Sequence, residues 1–211
     1  MKLYDYYRSS ASYRVRIALN IKKITYETLS VHLINNGGEQ HLPDYLALNP
    51  QGLVPTLVDS EQVISQSLAI IEYLDECFPT PALLPVKPAD RAQVRSMALL
   101  IACDIHPLNN LRVLNRLRQQ FDAKDNNIQE WMHHWMKKGF DAFEHKLSQT
   151  NPAAGFCFGG EVSLADLCLI PQVYNAIRFQ FPLTDYPRIQ EIYRHCTGLP
   201  AFKSAEPNPE A

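Results

Sequence analysis

The chain has 211 residues, 46% of them hydrophobic, and its 20 basic and 22 acidic side chains leave a formal net charge of −2. That length suits one large or two small domains with a sizeable core, and the near-neutral balance excludes a global pull toward nucleic acid or an anionic membrane surface. The longest apolar runs, such as Met97 to Cys103, fall well short of a membrane span, and the N-terminus turns polar within five residues, unlike a secretory leader. Five cysteines (Cys77, Cys103, Cys157, Cys168, Cys196) form no C-x-x-C pair, and apolar neighbours suggest buried helix positions for four of them. The expectation is a reducing, cytoplasmic setting.

In chain order, Lys2 to Tyr6 reads as a strand and Tyr13 to Asn20 as a helix. Ser9 and Ser10 place two adjacent hydroxyls at the junction, beside Arg8. A helix N-terminus exposes unpaired amides and the positive end of a dipole, so it favours an anion, and a serine hydroxyl can donate to a thiolate. Capping is the commoner fate of serine there, and the pairing beside Arg8 tips the balance toward chemistry. Tyr26 to Val31 follows as a strand, Glu39 to Leu48 as a helix, Thr56 to Asp59 and Gln62 to Ile64 as short strands, and Ser67 to Cys77 as a third helix. The order is β-α-β-α-β-β-α. Val54-Pro55, between a loop and a strand, is a plausible cis peptide; such a bond turns the Val54 backbone outward, toward an extended ligand. Gln66-Ser67 opens the third helix, where Ser67 reads as a cap, an anion-binding group, or both.

Pro79, Pro81, Pro85 and Pro88 are too dense for a helix or a central strand. Residues 79 to 88 are therefore expected to link a first domain, 1 to 78, to a second, 89 to 211. The second domain reads as all-helical, with apolar residues at helical spacing from Asp90 to about Phe121 and from Ile128 to Leu147. On the first of these helices His106 and Asn110 are four apart and share a face. Ser163-Leu164-Ala165-Asp166 is a capping-box pattern that starts a helix carrying Pro171 and ending near Arg178. The tail from Glu206 to Glu210 is polar and broken by proline, and is expected to fray.

Other patterns carry less. His133 and His134 are adjacent and cannot share a helix face, and no H-E-x-x-H motif exists, so no metal site is expected. No G-x-S-x-G elbow supports a serine hydrolase. Trp131 and Trp135, one turn apart, read as core packing. Arg14 and Arg16 fall on different helix faces and are expected at the surface or at a dimer contact.

The order of elements followed by a helical domain resembles the cytosolic glutathione transferase fold, an α/β thioredoxin-like N-terminal domain plus an all-α C-terminal domain. Within it, Ser9-Ser10-Ala11-Ser12-Tyr13-Arg14-Val15-Arg16, Asn49-Pro50 with Val54-Pro55-Thr56-Leu57, Gln66-Ser67-Leu68-Ala69, Asp104 to Arg112 and Ala165 to Val173 are similar to the zeta class, the maleylacetoacetate isomerases. The resemblance implies glutathione as coenzyme, held by Ser9, Ser10, Gln40, Val54, Pro55, Gln66, Ser67, His106 and Asn110. Ser9 and Ser10 would be catalytic, and Arg8, Arg112 and Arg178 would bind the substrate carboxylates. His106 could contact glutathione, assist proton transfer, or simply pack. The implied reaction is isomerisation of maleylacetoacetate to fumarylacetoacetate by thiolate addition, rotation and elimination, in tyrosine and phenylalanine catabolism, by a homodimer. Alternatives are maleylpyruvate isomerisation, transfer or dehalogenation on small α-halo acids, and a non-enzymatic interaction module. One departure is Ala11, where the family usually carries cysteine.

Overall fold

The computed structural model describes residues 1–150 and 155–208, which divide into two compact units, one of residues 1–82 with 199–208 and one of residues 83–198. The first unit contains β1 (Lys2–Asp5), α1 (Ser10–Ile21), β2 (Glu27–Ser30), α2 (Pro43–Leu48), β3 (Thr56–Asp59), β4 (Gln62–Ser65) and α3 (Ser67–Cys77). The sheet order is β2-β1-β3-β4, with β1 parallel to β2 and antiparallel to β3, and β3 antiparallel to β4. The sequence expectation of this α/β order is met. Leu3 on β1 lies opposite Leu57 on β3, and both are fully buried. The apolar stripes of α1 (Val15, Ile17, Ala18, Leu19) and α3 (Ile70, Ile71, Leu74) complete the core.

The expected helix from Glu39 to Leu48 is broken. Glu39–His41 forms one 3-10 turn, Leu42 is extended (φ −68°, ψ 144°), and α2 begins at Pro43. Proline forces its predecessor out of the α region and has no amide to donate, so it can open a helix but not sit inside this one.

The second unit contains α4 (Pro88–Leu99), α5 (Leu111–Phe121), α6 (Asp125–Thr150), α7 (Leu164–Arg178) and α8 (Pro187–Thr197). Along α6, Ile128, Met132, Met136, Phe140, Phe143 and Leu147 recur every three or four residues and are all buried. Every residue of α7 from Leu164 to Val173 is buried, and the helix runs through Pro171 without ending. Its start is fixed by Asp166, whose carboxylate accepts from the Ser163 amide and hydroxyl (both 2.8 Å) and the Cys157 amide (2.7 Å). Burial pushes this carboxyl above its ordinary range, against the opposing pull of those bonds.

The single helix expected from Asp90 to Phe121 is instead three pieces. After Leu99 the chain winds as a π-helix over Leu100–Ile105, with the His106 amide bonded to the Ile101 carbonyl at 3.0 Å, then breaks and restarts at Leu111. Pro107 supplies no amide to continue the ladder, and the Asn110 side chain caps α5 by accepting from the Arg112 amide at 3.1 Å. A side chain at Gly139 would overlap Ile105, so glycine lets α6 approach the wide turn closely. Of the cysteines, Cys157, Cys168 and Cys196 are buried while Cys77 and Cys103 are exposed, one fewer buried than expected. In the proline-broken tail, Pro209 and Glu210 lie outside the described residues.

Candidate active site

The junction between β1 and α1 is a tight turn closed by the Ser9 amide on the Tyr6 carbonyl at 2.8 Å. Ser9 is the N-cap residue of α1, with extended backbone (φ −69°, ψ 119°), and its hydroxyl oxygen accepts from the Ser12 amide at 3.2 Å. Capping uses an acceptor lone pair and leaves the hydroxyl proton available. The two readings of Ser9 from sequence are thus compatible in one side chain. Ser10 is buried as the first residue of α1. Arg8 is exposed, its Nε donating to the Tyr7 hydroxyl at 2.7 Å with the guanidinium 5.0 Å from that ring.

Arg14 and Arg16 are not surface residues. Arg14 is only 1% exposed, and its Nη1 donates to the Ser67 hydroxyl oxygen at 3.3 Å, joining α1 to the start of α3. A serine oxygen that accepts from a guanidinium keeps its own proton for a further acceptor. A buried cation beside the first amides of α3 adds to the positive end of that helix and makes an anion site from two independent sources. Gln66, directly before it, adopts φ 71° and ψ 112°, a region that non-glycine residues rarely occupy. Its side chain donates to Gln51 at 2.7 Å.

The Val54–Pro55 peptide is cis, the conformation that its position made plausible and the thioredoxin-like resemblance favoured. The preceding carbonyl, that of Leu53, accepts from the Tyr45 hydroxyl (2.6 Å) and the Asn49 amide group (2.8 Å), and both side chains also reach the Thr56 hydroxyl. Asn49 and Tyr45 therefore fix the loop that presents Val54. Gln40 adjoins the same loop: Gly52, at φ +61°, lies against the Gln40 carbonyl, where a Cβ would come within 3.1 Å. Gln40 is 7% exposed, and its Oε1 is buried without a hydrogen-bond partner in the protein. An orphaned buried acceptor costs roughly 1–3 kcal/mol unless a ligand donor meets it. Ser9, Ser67 and Gln40 thus offer two hydroxyl protons and one acceptor.

In the helical unit, His106 ends the π-helical turn and Asn110 caps α5, so the two do not share one helix face as the sequence spacing implied. The segment between them is held on α6, where the Trp131 indole donates to the Leu108 carbonyl at 2.9 Å and Asn109 reaches the Met132 carbonyl at 3.5 Å. Trp131 is more than core packing: with Trp135, ring centroids 5.7 Å apart, it supports the loop that carries His106. Arg112 is exposed in the first turn of α5. Arg178 is exposed at the end of α7, its guanidinium 4.4 Å from the Phe179 ring centre. Among the described residues no group of three or more His, Cys, Asp or Glu is placed to hold a metal, and no helix is long and apolar enough to cross a membrane.

Sequence reasoning missed Tyr45, Asn49 and the placement of Arg14. The signal for Arg14 was its position inside the apolar run Tyr13 to Leu19, where a charge on α1 has to be buried and partnered.

Residues 3–82 match the family model described as the glutathione S-transferase N-terminal domain. The chain is 51% identical over 205 residues to a probable maleylacetoacetate isomerase of Vibrio cholerae, covering 97% of this chain and 94% of that protein. It is 49% identical over 208 residues to a maleylpyruvate isomerase of Ralstonia, covering 98% and 97%. Among solved structures it resembles the holo form of a maleylpyruvate isomerase, described as a bacterial zeta-class glutathione S-transferase (46% identity, TM-score 0.96, 100% of both chains). It also resembles a maleylacetoacetate isomerase of Methylobacterium extorquens with bound malonate and glutathione (39% identity, TM-score 0.95, 100% of this chain and 99% of that one).

Proposed function

The chain belongs to the zeta-class glutathione transferase family, the maleylacetoacetate isomerases, and on that premise we propose that it isomerises maleylacetoacetate to fumarylacetoacetate with glutathione as coenzyme. Glutathione, when bound, would supply a thiolate nucleophile for reversible addition to the cis double bond, with no net consumption of the thiol. The chain's own part is to hold that sulfur ionised and to grip the substrate carboxylates. Ser9 donates its hydroxyl proton toward the sulfur, Ser10 and the first amides of α1 add to the positive field, and the Ser67–Arg14 pair with Gln66 takes the terminal carboxylate of the γ-glutamyl group. Val54 and Pro55 offer backbone to the extended tripeptide, and Gln40 meets its glycyl end. Arg8, Arg112 and Arg178 clamp the diacid, since guanidinium forks match carboxylates. His106 and Asn110 are assigned to glutathione by their family position.

The observation that carries this reading is the double use of Ser9, a cap through its oxygen and a free donor through its proton. Maleylpyruvate isomerisation is the second reading, supported by the near-equal likeness to the Ralstonia enzyme and left open by Ala11, where the family usually carries cysteine. The assay is loss of maleyl absorbance on each diacid with glutathione. Turnover of maleylacetoacetate at the higher kcat/KM is expected; turnover of neither overturns the isomerase assignment. The protein acts in the cytoplasm, in tyrosine and phenylalanine catabolism, as a homodimer. The face of α4 supports the dimer: an open hollow of about 590 Å³ lined by Pro88, Ala92, Leu99 and Leu100 together with Arg95, Ser96 and Asp104, with Leu99 44% exposed, offers both apolar and charged groups to a second copy. Sedimentation equilibrium at twice the chain mass is the expected result.

A further inference from the structure

Arg16, two residues on from Arg14, is tied to one buried carboxylate and to two backbone carbonyls. Its Nη1 lies 2.8 Å from both carboxylate oxygens of Asp5 at the end of β1. Nη2 donates to the Tyr7 carbonyl at 3.0 Å and Nε to the Ala205 carbonyl at 3.0 Å. Tyr7 is inside the turn that the Ser9 amide closes on Tyr6, and Ala205 belongs to the end of the chain, whose short helix Pro200–Lys203 is also held by Asn20 on the Ala201 carbonyl. Arg16 and Asp5 are 8% and 4% exposed, and Phe202 and Ala205 are 1% exposed.

We propose that Arg16 is a positioning residue for Ser9: its guanidinium fastens the Tyr6–Ser9 turn to β1 and to the C-terminal segment, so the far end of the chain helps aim the thiol-activating hydroxyl. The geometry requires arginine. A carboxylate and two carbonyls in three directions need a planar fork of fixed donors, whereas a lysine ammonium on a flexible stem reaches the carboxylate and leaves the carbonyls unmet. An ion pair serving stability alone would be complete with Asp5. The two remaining bonds go to the turn and to the tail, and the one on the Tyr7 carbonyl holds that peptide's orientation. A turn that rocks about Tyr7 carries Ser9 with it, and misplacement by an ångström is enough to weaken a charge-assisted hydrogen bond.

The inference rests on the glutathione reading for its effect on catalysis and is independent of it for its effect on the turn. The test therefore measures both in Arg16→Lys and in the double variant Asp5→Leu/Arg16→Met, which removes the buried pair without stranding a charge. In the ligand-free protein, amide exchange at Ser9 and Ala205 is expected to rise about 10-fold relative to amides of β3, as a local opening does. With glutathione, the ultraviolet titration of the bound thiol should move up by about one pKa unit, lowering kcat/KM about 10-fold at neutral pH and recovering at alkaline pH. Affinity for S-methylglutathione, which has no thiol to ionise, should stay within about 2-fold. A lowered melting temperature with unchanged Ser9 exchange and thiol pKa would overturn the proposal. Faster Ser9 exchange in a protein whose wild type binds no glutathione would uphold the clamp and overturn the glutathione reading.

Discussion

Replacing Ser9 removes two interactions at once, and their sizes can be separated. The hydroxyl oxygen caps α1 through the Ser12 amide at 3.2 Å, and the hydroxyl proton is left for the sulfur. Losing a serine cap to alanine costs about 1 kcal/mol, and to glycine only a few tenths. A hydrogen bond to a charged group is worth about 1.5–3 kcal/mol. At about 1.4 kcal/mol per pKa unit, its loss raises the bound thiol by about one to two units. Ser9→Ala and Ser9→Gly should therefore both lower kcat/KM about 10- to 100-fold at neutral pH, while only Ser9→Ala is appreciably less stable to heat. Ser10→Ala should have a much smaller effect on turnover, since the hydroxyl assigned to the sulfur is that of Ser9, while Ser10 is buried as the first residue of α1. The assays are spectrophotometric titration of the bound thiolate and thermal melting of each variant. If Ser9→Gly keeps the wild-type thiol pKa, or if loss of activity follows helix stability across the two variants, Ser9 is only a cap and the reasoning fails.

Gln66→Gly should relieve the positive φ at 66, raising stability by about 1 kcal/mol in denaturant titration while weakening glutathione binding; a less stable variant would show that the backbone there is unstrained. Lys22 is fully buried at its side chain and donates at 2.6 Å to Asp75 and to the Phe78 and Pro81 carbonyls, so Lys22→Met should cost about 3–5 kcal/mol on unfolding, read by the denaturation midpoint. Arg178→Ala should raise KM for the diacid without altering glutathione affinity, a split that initial-rate kinetics resolves. The Lys137 ammonium, with help from the Tyr186 hydroxyl, holds the Asp141 carboxyl below its ordinary 3.8. Its stabilising effect is then present above that value and lost as pH falls through the depressed one, so the difference in melting temperature between wild type and Asp141→Asn should vanish in acid.

Much of the first unit was legible because its signals are local. Alternating strands, the amphipathic α3 and the serine before α1 each depend on a few neighbouring residues, and all three formed where the residues implied. Boundaries misread from the sequence were proline effects: Pro43 divides one expected helix, and Pro107 with the Asn110 cap divides another. That second division also separated His106 from the face assigned to Asn110. The wide turn at Leu100–Ile105 was not legible, since the helix breaks directly after it and too few residues follow in phase for a shift of the apolar period to show.

The sequence by itself determined the order of elements, the helix start at Ser9 and the family to which the chain belongs. Only the tertiary structure decided where Arg14 and Arg16 go. Helical spacing put them on different faces, and both faces are buried. Their acceptors come from far along the chain, Ser67 from 53 residues away and the Ala205 carbonyl from 189. A local pattern can fix a capping hydroxyl because cap and amide are three residues apart. A guanidinium settles where folding gathers its acceptors, and no window of sequence contains them all.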